Sequence, residues 1–237
     1  MRLDKFLSVT GTLTRSETQR AVRAKRVLVN GVAAKKADVK IDPENDAVEL
    51  DGERVAYKKY TYVMLNKPAG YVSATDDSRL PTVLELLPEK YSRIGLFPCG
   101  RLDRDTTGLM LLTDDGELSH FLLSPVSHVP KTYYFESEHP LDDSSANALR
   151  QGVDIGEKGL TKPAGLEYSG NTGKITISEG RYHQIKRMFE AVENKITYLE
   201  RISFGPLCLD ASLARGEWRE LTESEIAELQ KHNRNTN

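Results

Sequence analysis

The 237-residue chain has only two cysteines, Cys99 and Cys208. They are too few and too far apart for a disulfide framework or a zinc cluster, so reduced thiols in a cytoplasmic protein are the expectation. Long apolar runs are missing too. No stretch approaches the ~18 consecutive apolar residues that a membrane span needs. The opening Met1-Arg2-Leu3-Asp4-Lys5-Phe6 places charges where a signal peptide requires an apolar segment, so neither export nor a membrane partner is expected. A strong excess of one charge is also absent, with 33 Lys or Arg against 35 Asp or Glu for a net charge of −2. That balance hides an asymmetry. Residues 1–45 hold 10 Lys or Arg against 5 Asp or Glu, whereas residues 46–237 hold 23 against 30. A basic head on an acidic body points to a polyanion as the partner of the head. The length suits one large domain or two modest ones.

The head is read as residues 1–58, linker included. Leu3, Phe6 and Leu7 recur at helical spacing, and Thr14-x-x-Glu17 is a capping box opening a second helix that runs to about Lys25. Val27-Leu28-Val29-Asn30-Gly31-Val32-Ala33 reads as a hairpin, with Asn-Gly supplying the left-handed turn. Arg2, Lys5, Arg15, Arg20, Arg23, Lys25 and Arg26 are the candidate contacts to a polyanion. Residues 42–60 show no clear periodicity beyond an Asp51-Gly52 turn and are assigned to the linker. The head lacks an aromatic platform, which argues against a reader of single strands.

The body, residues 59–237, is organised around Gly100-Arg101-Leu102-Asp103-Arg104-Asp105-Thr106-Thr107-Gly108 and the apolar run that follows it. Leu109 to Thr113 is a short uncharged run between turn signals and reads as a buried strand. The charged residues thus sit on a loop held by a rigid element, a common setting for chemistry. Tyr62 to Leu65 and Lys174 to Ser178 read as further strands, Tyr71 to Ala74 as an extended segment, and Glu117 to Leu123 as a helix with Asp115 as its N-cap. Lys131-Thr132-Tyr133-Tyr134-Phe135 alternates, so Tyr133 and Tyr134 face opposite sides of a strand. After Gly180-Arg181-Tyr182-His183-Gln184, a helix puts Ile185, Met188, Phe189 and Val192 on one apolar face. Arg187 should then face solvent, His183 should point outward, and Lys186 should flank the buried stripe. Thr222-x-x-Glu225 caps a closing helix expected to reach about Lys231, with a frayed remainder.

Asp103-x-Asp105-x-Thr107 matches the D-x-D-x-T of magnesium-dependent phosphoaspartate phosphatases, although there the apolar strand precedes the motif. A longer match is to another family. Gly100-Arg101-Leu102-Asp103-x-Asp105-Thr106-Thr107-Gly108-Leu109 resembles the active-site motif of the pseudouridine synthases, in the RsuA branch with its large-subunit relatives. Leu65-Asn66-Lys67-Pro68-x-Gly70, Lys131-x-Tyr133 and Gly180-Arg181-x-His183-Gln184-x-Lys186 match its other motifs in order. Thr75-Asp76-Asp77 and Pro81-Thr82-Val83-Leu84 match the small-subunit side of that branch. The head resembles the RNA-binding domain named after ribosomal protein S4, which grips structured RNA by backbone and shape.

This resemblance implies an α+β protein, with a mostly antiparallel catalytic sheet preceded by a small α/β head. It implies the isomerisation of one uridine of 16S rRNA, at position 516, to pseudouridine. Asp103 would be the nucleophile, Tyr133 the group packing on the base and moving protons, and Lys186 the cation pairing with Asp103. Lys67, Arg101 and Arg181 join the head residues as expected RNA contacts. No metal or cofactor is expected, because nothing is oxidised or hydrolysed. The expected partner is 16S rRNA or a small-subunit assembly intermediate, met by a monomer. The alternatives are a 23S rRNA target, the magnesium-dependent phosphatase, and an RNA-binding assembly factor whose modification activity is incidental.

Overall fold

The computed structural model describes residues 1–157 and 159–234, which separate into two compact units. The first comprises residues 1–61 with 87–97, and the second residues 62–86 with 98–237.

The first unit begins with helices α1 (Leu3–Val9) and α2 (Arg15–Arg23). The Thr14–Glu17 capping box forms in both directions, at 3.2 Å and 2.7 Å. A four-stranded antiparallel sheet follows: β1 (Val27–Val29), β2 (Val32–Ala33), β3 (Val48–Leu50) and β4 (Glu53–Arg54), in the spatial order β2-β1-β3-β4. Asn30 and Gly31 both have positive φ, as the tight β1–β2 turn requires. The assignment of residues 42–60 to a linker is corrected here. Residues 48–54 form a second hairpin around Asp51-Gly52, joined to the sheet by β1–β3 pairing. Its strands are too short to show a period. Leu3, Phe6 and Leu7 from α1 pack with Ala21, Val22, Val27 and Val48. Helix α3 (Glu89–Ile94) also belongs to this unit, where Arg93 pairs with Glu17 at 3.5 Å.

The second unit is built on one large sheet. Its strands are β5 (Tyr62–Lys67), β7 (Thr107–Thr113, reached after the two-residue β6, Phe97–Pro98), β8 (Lys131–Ser137), β9 (Gly165–Ser169), β10 (Thr172–Ile177), β11 (Ile196–Phe204), β12 (Leu207–Cys208) and β13 (Trp218–Glu220). The principal order is β13-β5-β7-β11-β8-β10-β9. Along this order β7 and β11 pair in parallel and the other neighbours antiparallel, so the sheet is mostly antiparallel, as expected. Gly108 is required at that junction, because a Cβ there would collide with the Arg201 carbonyl.

Among the described residues four α-helices complete the unit: α4 (Gly116–Leu123), capped by Asp115, α5 (Asp143–Gln151), α6 (Gln184–Glu190) and α7 (Glu223–Arg234). No helix among the described residues is long and apolar enough to cross a membrane. Tyr71 to Ala74 is not a strand, since only Val72 makes a bridge, to Thr82. α6 is shorter than expected and leaves Val192 in the turn beyond it. α7 outlasts Lys231, and the rest of the expected frayed end, residues 235–237, lies outside the described residues.

Candidate active site

The loop before β7 is fixed from beneath. Lys67, at the end of β5, is fully buried, and its Nζ donates to the carbonyls of Pro68, Asp103, Arg104 and Thr106 at 2.9–3.2 Å. Ser73 clasps Leu102 from both sides, accepting from its N–H at 3.0 Å and donating to its carbonyl at 2.9 Å. The residues around Asp103 are therefore anchored while its carboxylate stays a quarter exposed. Lys67 was expected to contact RNA, and the structure corrects this. An ammonium with no exposed surface and four carbonyl partners organises the loop and cannot reach a phosphate. Burial pushes its pKa down to about 8, against the pull of Asp105 and Asp103.

Above the loop stands α6. Lys186 Nζ lies 3.2 Å from Asp103 Oδ2 and 2.6 Å from Asp105 Oδ1. Burial opposes the charge on Lys186, but the hydrogen bond to Asp105 and the two carboxylate charges outweigh it and raise its pKa. Burial likewise opposes ionisation of Asp105, and the Lys186 bond overrides it, so its pKa is lowered. His183 was expected to point outward. Instead its left-handed backbone (φ 48°) at the N-cap of α6 brings Nε2 to 3.5 Å from Asp103 Oδ1, with Tyr182 stacked on the ring at 3.8 Å.

The approach to α6 is braced by Glu179, which accepts from Gln184 Nε2 and the Lys162 N–H, both at 2.8 Å. Arg181, expected on RNA, is committed to this brace. Its guanidinium donates to Glu179 and to the carbonyls of Gly159 and Leu160. Arg187 does not face solvent freely but pairs with Glu157 and bonds the carbonyls of Tyr182 and Ile155.

Ser73, Glu179, Arg181 and His183 border a cavity of about 650 Å³, the size of a small-molecule site. Asp103, Tyr133 and Lys186 all line it, with exposed Arg101 at its edge. Tyr133 is 7% exposed and sits beside Arg201 on β11, while Tyr134 turns to the other face and meets Tyr198 edge-on at 6.0 Å. Arg201 and Lys131 also line the cavity, and neither was among the site residues chosen from the sequence. Arg201 gives no signal in the sequence, because it shares its strand phase with Thr197, Leu199 and Ser203 and not with Ile196, Ile202 and Phe204. The phosphatase-like motif is not gathered into one site, since the Thr107 hydroxyl donates to the Leu199 carbonyl and to the Tyr198 hydroxyl.

In the first unit Lys5, Arg15, Arg20, Arg23 and Lys25 are exposed. Arg2 pairs with Asp4 at 2.6 Å and Arg26 with Asp51 at 2.5 Å, so their charge is partly spent within the unit.

The family model for RNA pseudouridylate synthase matches residues 61–191, and that for the S4 domain matches residues 1–48. The chain is 48% identical over 232 residues to a ribosomal small subunit pseudouridine synthase A of Escherichia coli, covering 97% of this chain and all of that one. It is 46% identical over 231 residues to an uncharacterized RNA pseudouridine synthase of Bacillus subtilis, covering 95% and 97% of the two chains. A crystal structure of a pseudouridylate synthase superposes with a TM-score of 0.68 at 44% identity, covering 97% and 99% of the two chains.

Proposed function

The chain belongs to the RNA pseudouridylate synthase family, and from that premise we propose that it converts uridine 516 of 16S rRNA to pseudouridine, with Asp103 as the nucleophile. The observation that carries the reading is the Asp103–Lys186 contact of 3.2 Å at the border of a nucleoside-sized cavity. A carboxylate paired with a fixed ammonium is aimed at one spot in the cavity, which is what nucleophilic catalysis asks of it. Tyr133 packs on the uracil and moves the proton between C5 and N1. The target uridine must leave its stack to enter the cavity, at a cost of a few kcal/mol. Arg101 and the exposed cations of residues 1–58 offset this by holding phosphates. Residues 59–237 carry out the chemistry. The enzyme acts as a monomer in the cytoplasm, on 16S rRNA or an assembling small subunit. The small-subunit target rests on the likeness to the Escherichia coli ribosomal small subunit pseudouridine synthase A, which spans nearly the whole of both chains.

The test is a pseudouridine map of 16S and 23S rRNA in cells lacking the protein, complemented with wild type or Asp103→Asn. One 16S site should vanish and return only with the wild type. Loss of a 23S site instead would overturn the target and keep the reaction. Restoration by Asp103→Asn would overturn the nucleophile.

A further inference from the structure

Lys131 and Arg201 both line the cavity, and neither forms an ion pair with a carboxylate among the described residues. Arg201 is 2% exposed. Its Nε donates to the Leu109 carbonyl at 2.7 Å, and one terminal nitrogen lies 4.0 Å from the Met110 sulfur. Its guanidinium is 5.0 Å from the centre of the Phe204 ring, and Lys131 Nζ is 5.3 Å from the same ring. Lys131 has one hydrogen bond, to the Val129 carbonyl at 3.0 Å. In register, Arg201 stands opposite Tyr133, and Lys131 is two residues before Tyr133 on the same face of β8. Tyr133 is thus flanked by two cations. Burial and the neighbouring Arg201 push Lys131 down to about 8, and burial raises the pKa of nearby Cys99, which keeps that thiol neutral.

Two enclosed like charges without a counterion are costly, and the cost is recovered when an anion arrives between them. The reaction itself generates one. When the N1–C1′ bond breaks, its electron pair stays with the uracil, and the negative charge spreads onto the ring oxygens. C1′ is meanwhile held as an ester of the Asp103 carboxylate. C5 then bonds to C1′ and displaces that carboxylate, the C5 proton leaves and N1 gains one, so no atom or electron is lost overall.

We propose that Lys131 and Arg201 are catalytic residues that touch the uracil ring and hold the negative charge it carries while detached from the ribose. The proposal rests on the reaction assigned above and adds a second electrostatic pole to the cavity. Lys186 pairs with the attacking carboxylate, and the Lys131–Arg201 pair stabilises the departing base. Fixed charges aimed at a site of developing charge are among the largest single contributions to catalysis.

The test compares the wild type with Lys131→Met and Arg201→Lys in two assays. In single turnover at saturating 16S rRNA fragment, Lys131→Met should slow conversion by about 10²-fold with RNA affinity nearly unchanged. In direct binding, the wild type should prefer barbiturate, a pyrimidine that is anionic at neutral pH, over neutral uracil by about tenfold or more. That preference should collapse in Lys131→Met and largely survive in the charge-conserving Arg201→Lys. The anion preference is the readout that a merely structural role would not move, and it is measurable on the wild type alone. An active wild type without the preference, or a preference retained in Lys131→Met, overturns this proposal only. A wild type that forms no pseudouridine overturns the proposed reaction and this inference with it.

Discussion

In the first unit Lys5, Arg15, Arg20, Arg23 and Lys25 are exposed, whereas in the second Lys67 and Arg201 are 0% and 2% exposed. The same residue types perform opposite tasks. An exposed cation acts as part of a field, is screened within about 10 Å at ordinary salt, and can be exchanged for a neighbour at little cost. A buried one acts as a fixed point charge or a multiple donor, and its location to a few tenths of an ångström decides what it does. Counting charge along the chain distinguishes the head from the body but not these two uses. Lys186, though only partly buried, is put to the second use as well, with two carboxylates on one ammonium.

The contrast is tested most strongly at Lys186. Lys186→Met should lower the single-turnover rate at saturating RNA by about 10²-fold or more while changing RNA affinity little, because the lost interaction acts on Asp103 and not on phosphate. A normal rate in that variant, or a loss residing wholly in affinity, would remove Lys186 from the catalytic side of the comparison.

Next in size is Lys67→Met. It leaves the carbonyls of Pro68, Asp103, Arg104 and Thr106 without their shared donor. Unfolding free energy should fall by about 3 kcal/mol, the scale of stranded buried acceptors, as read by denaturant titration. The two lysines should also answer pH in opposite ways. Lys67 is lowered to about 8 from 10.5, so between those values the unfolded chain binds more protons and stability rises with pH through this residue. Lys186 is raised, so its contribution is complete below 10.5 and is lost only as pH climbs through its higher folded value. The stability gap between wild type and Lys67→Met should therefore widen from pH 8 toward 10.5, while the gap for Lys186→Met stays flat over that window. A Lys67 gap that narrows over the same interval would contradict its assignment as a desolvated cation.

What could be read from the sequence follows the same division. The Thr14 capping box, the Asn30-Gly31 turn, the Asp115 cap and the alternation of Tyr133 with Tyr134 are local, and each appears as expected. The pairing of Lys186 with Asp103 was foreseen from the family's motifs, and helical geometry placed Lys186 on the correct flank. Three of the misreadings share one cause. Lys67, Arg181 and Arg187 all end on backbone carbonyls, which every residue carries and no sequence pattern marks. Lys67 in a Pro/Gly turn looks exposed until strand β7 and its loop are laid over it. Arg201 was missed for a related reason. Its anchor is the carbonyl of Leu109, 92 residues earlier, reached through a parallel strand pairing that local periodicity does not announce.

The smallest expected effect lies on the exposed side of the comparison, at Arg23. It sits exposed in the last turn of α2. If the head works as a field, removing one cation should cost a few-fold in affinity and no more. It should also reduce the slope of log affinity against log salt by about one unit, since one fewer counterion is released per phosphate neutralised. The chemical step at saturating RNA should not change. Arg23→Ala measured from low to moderate salt separates the possibilities cleanly. An unchanged slope would mean that Arg23 never meets a phosphate. A large loss confined to one RNA sequence would mean that this cation, too, is a positioned contact, and the contrast between the two units would then be one of burial without a difference in use.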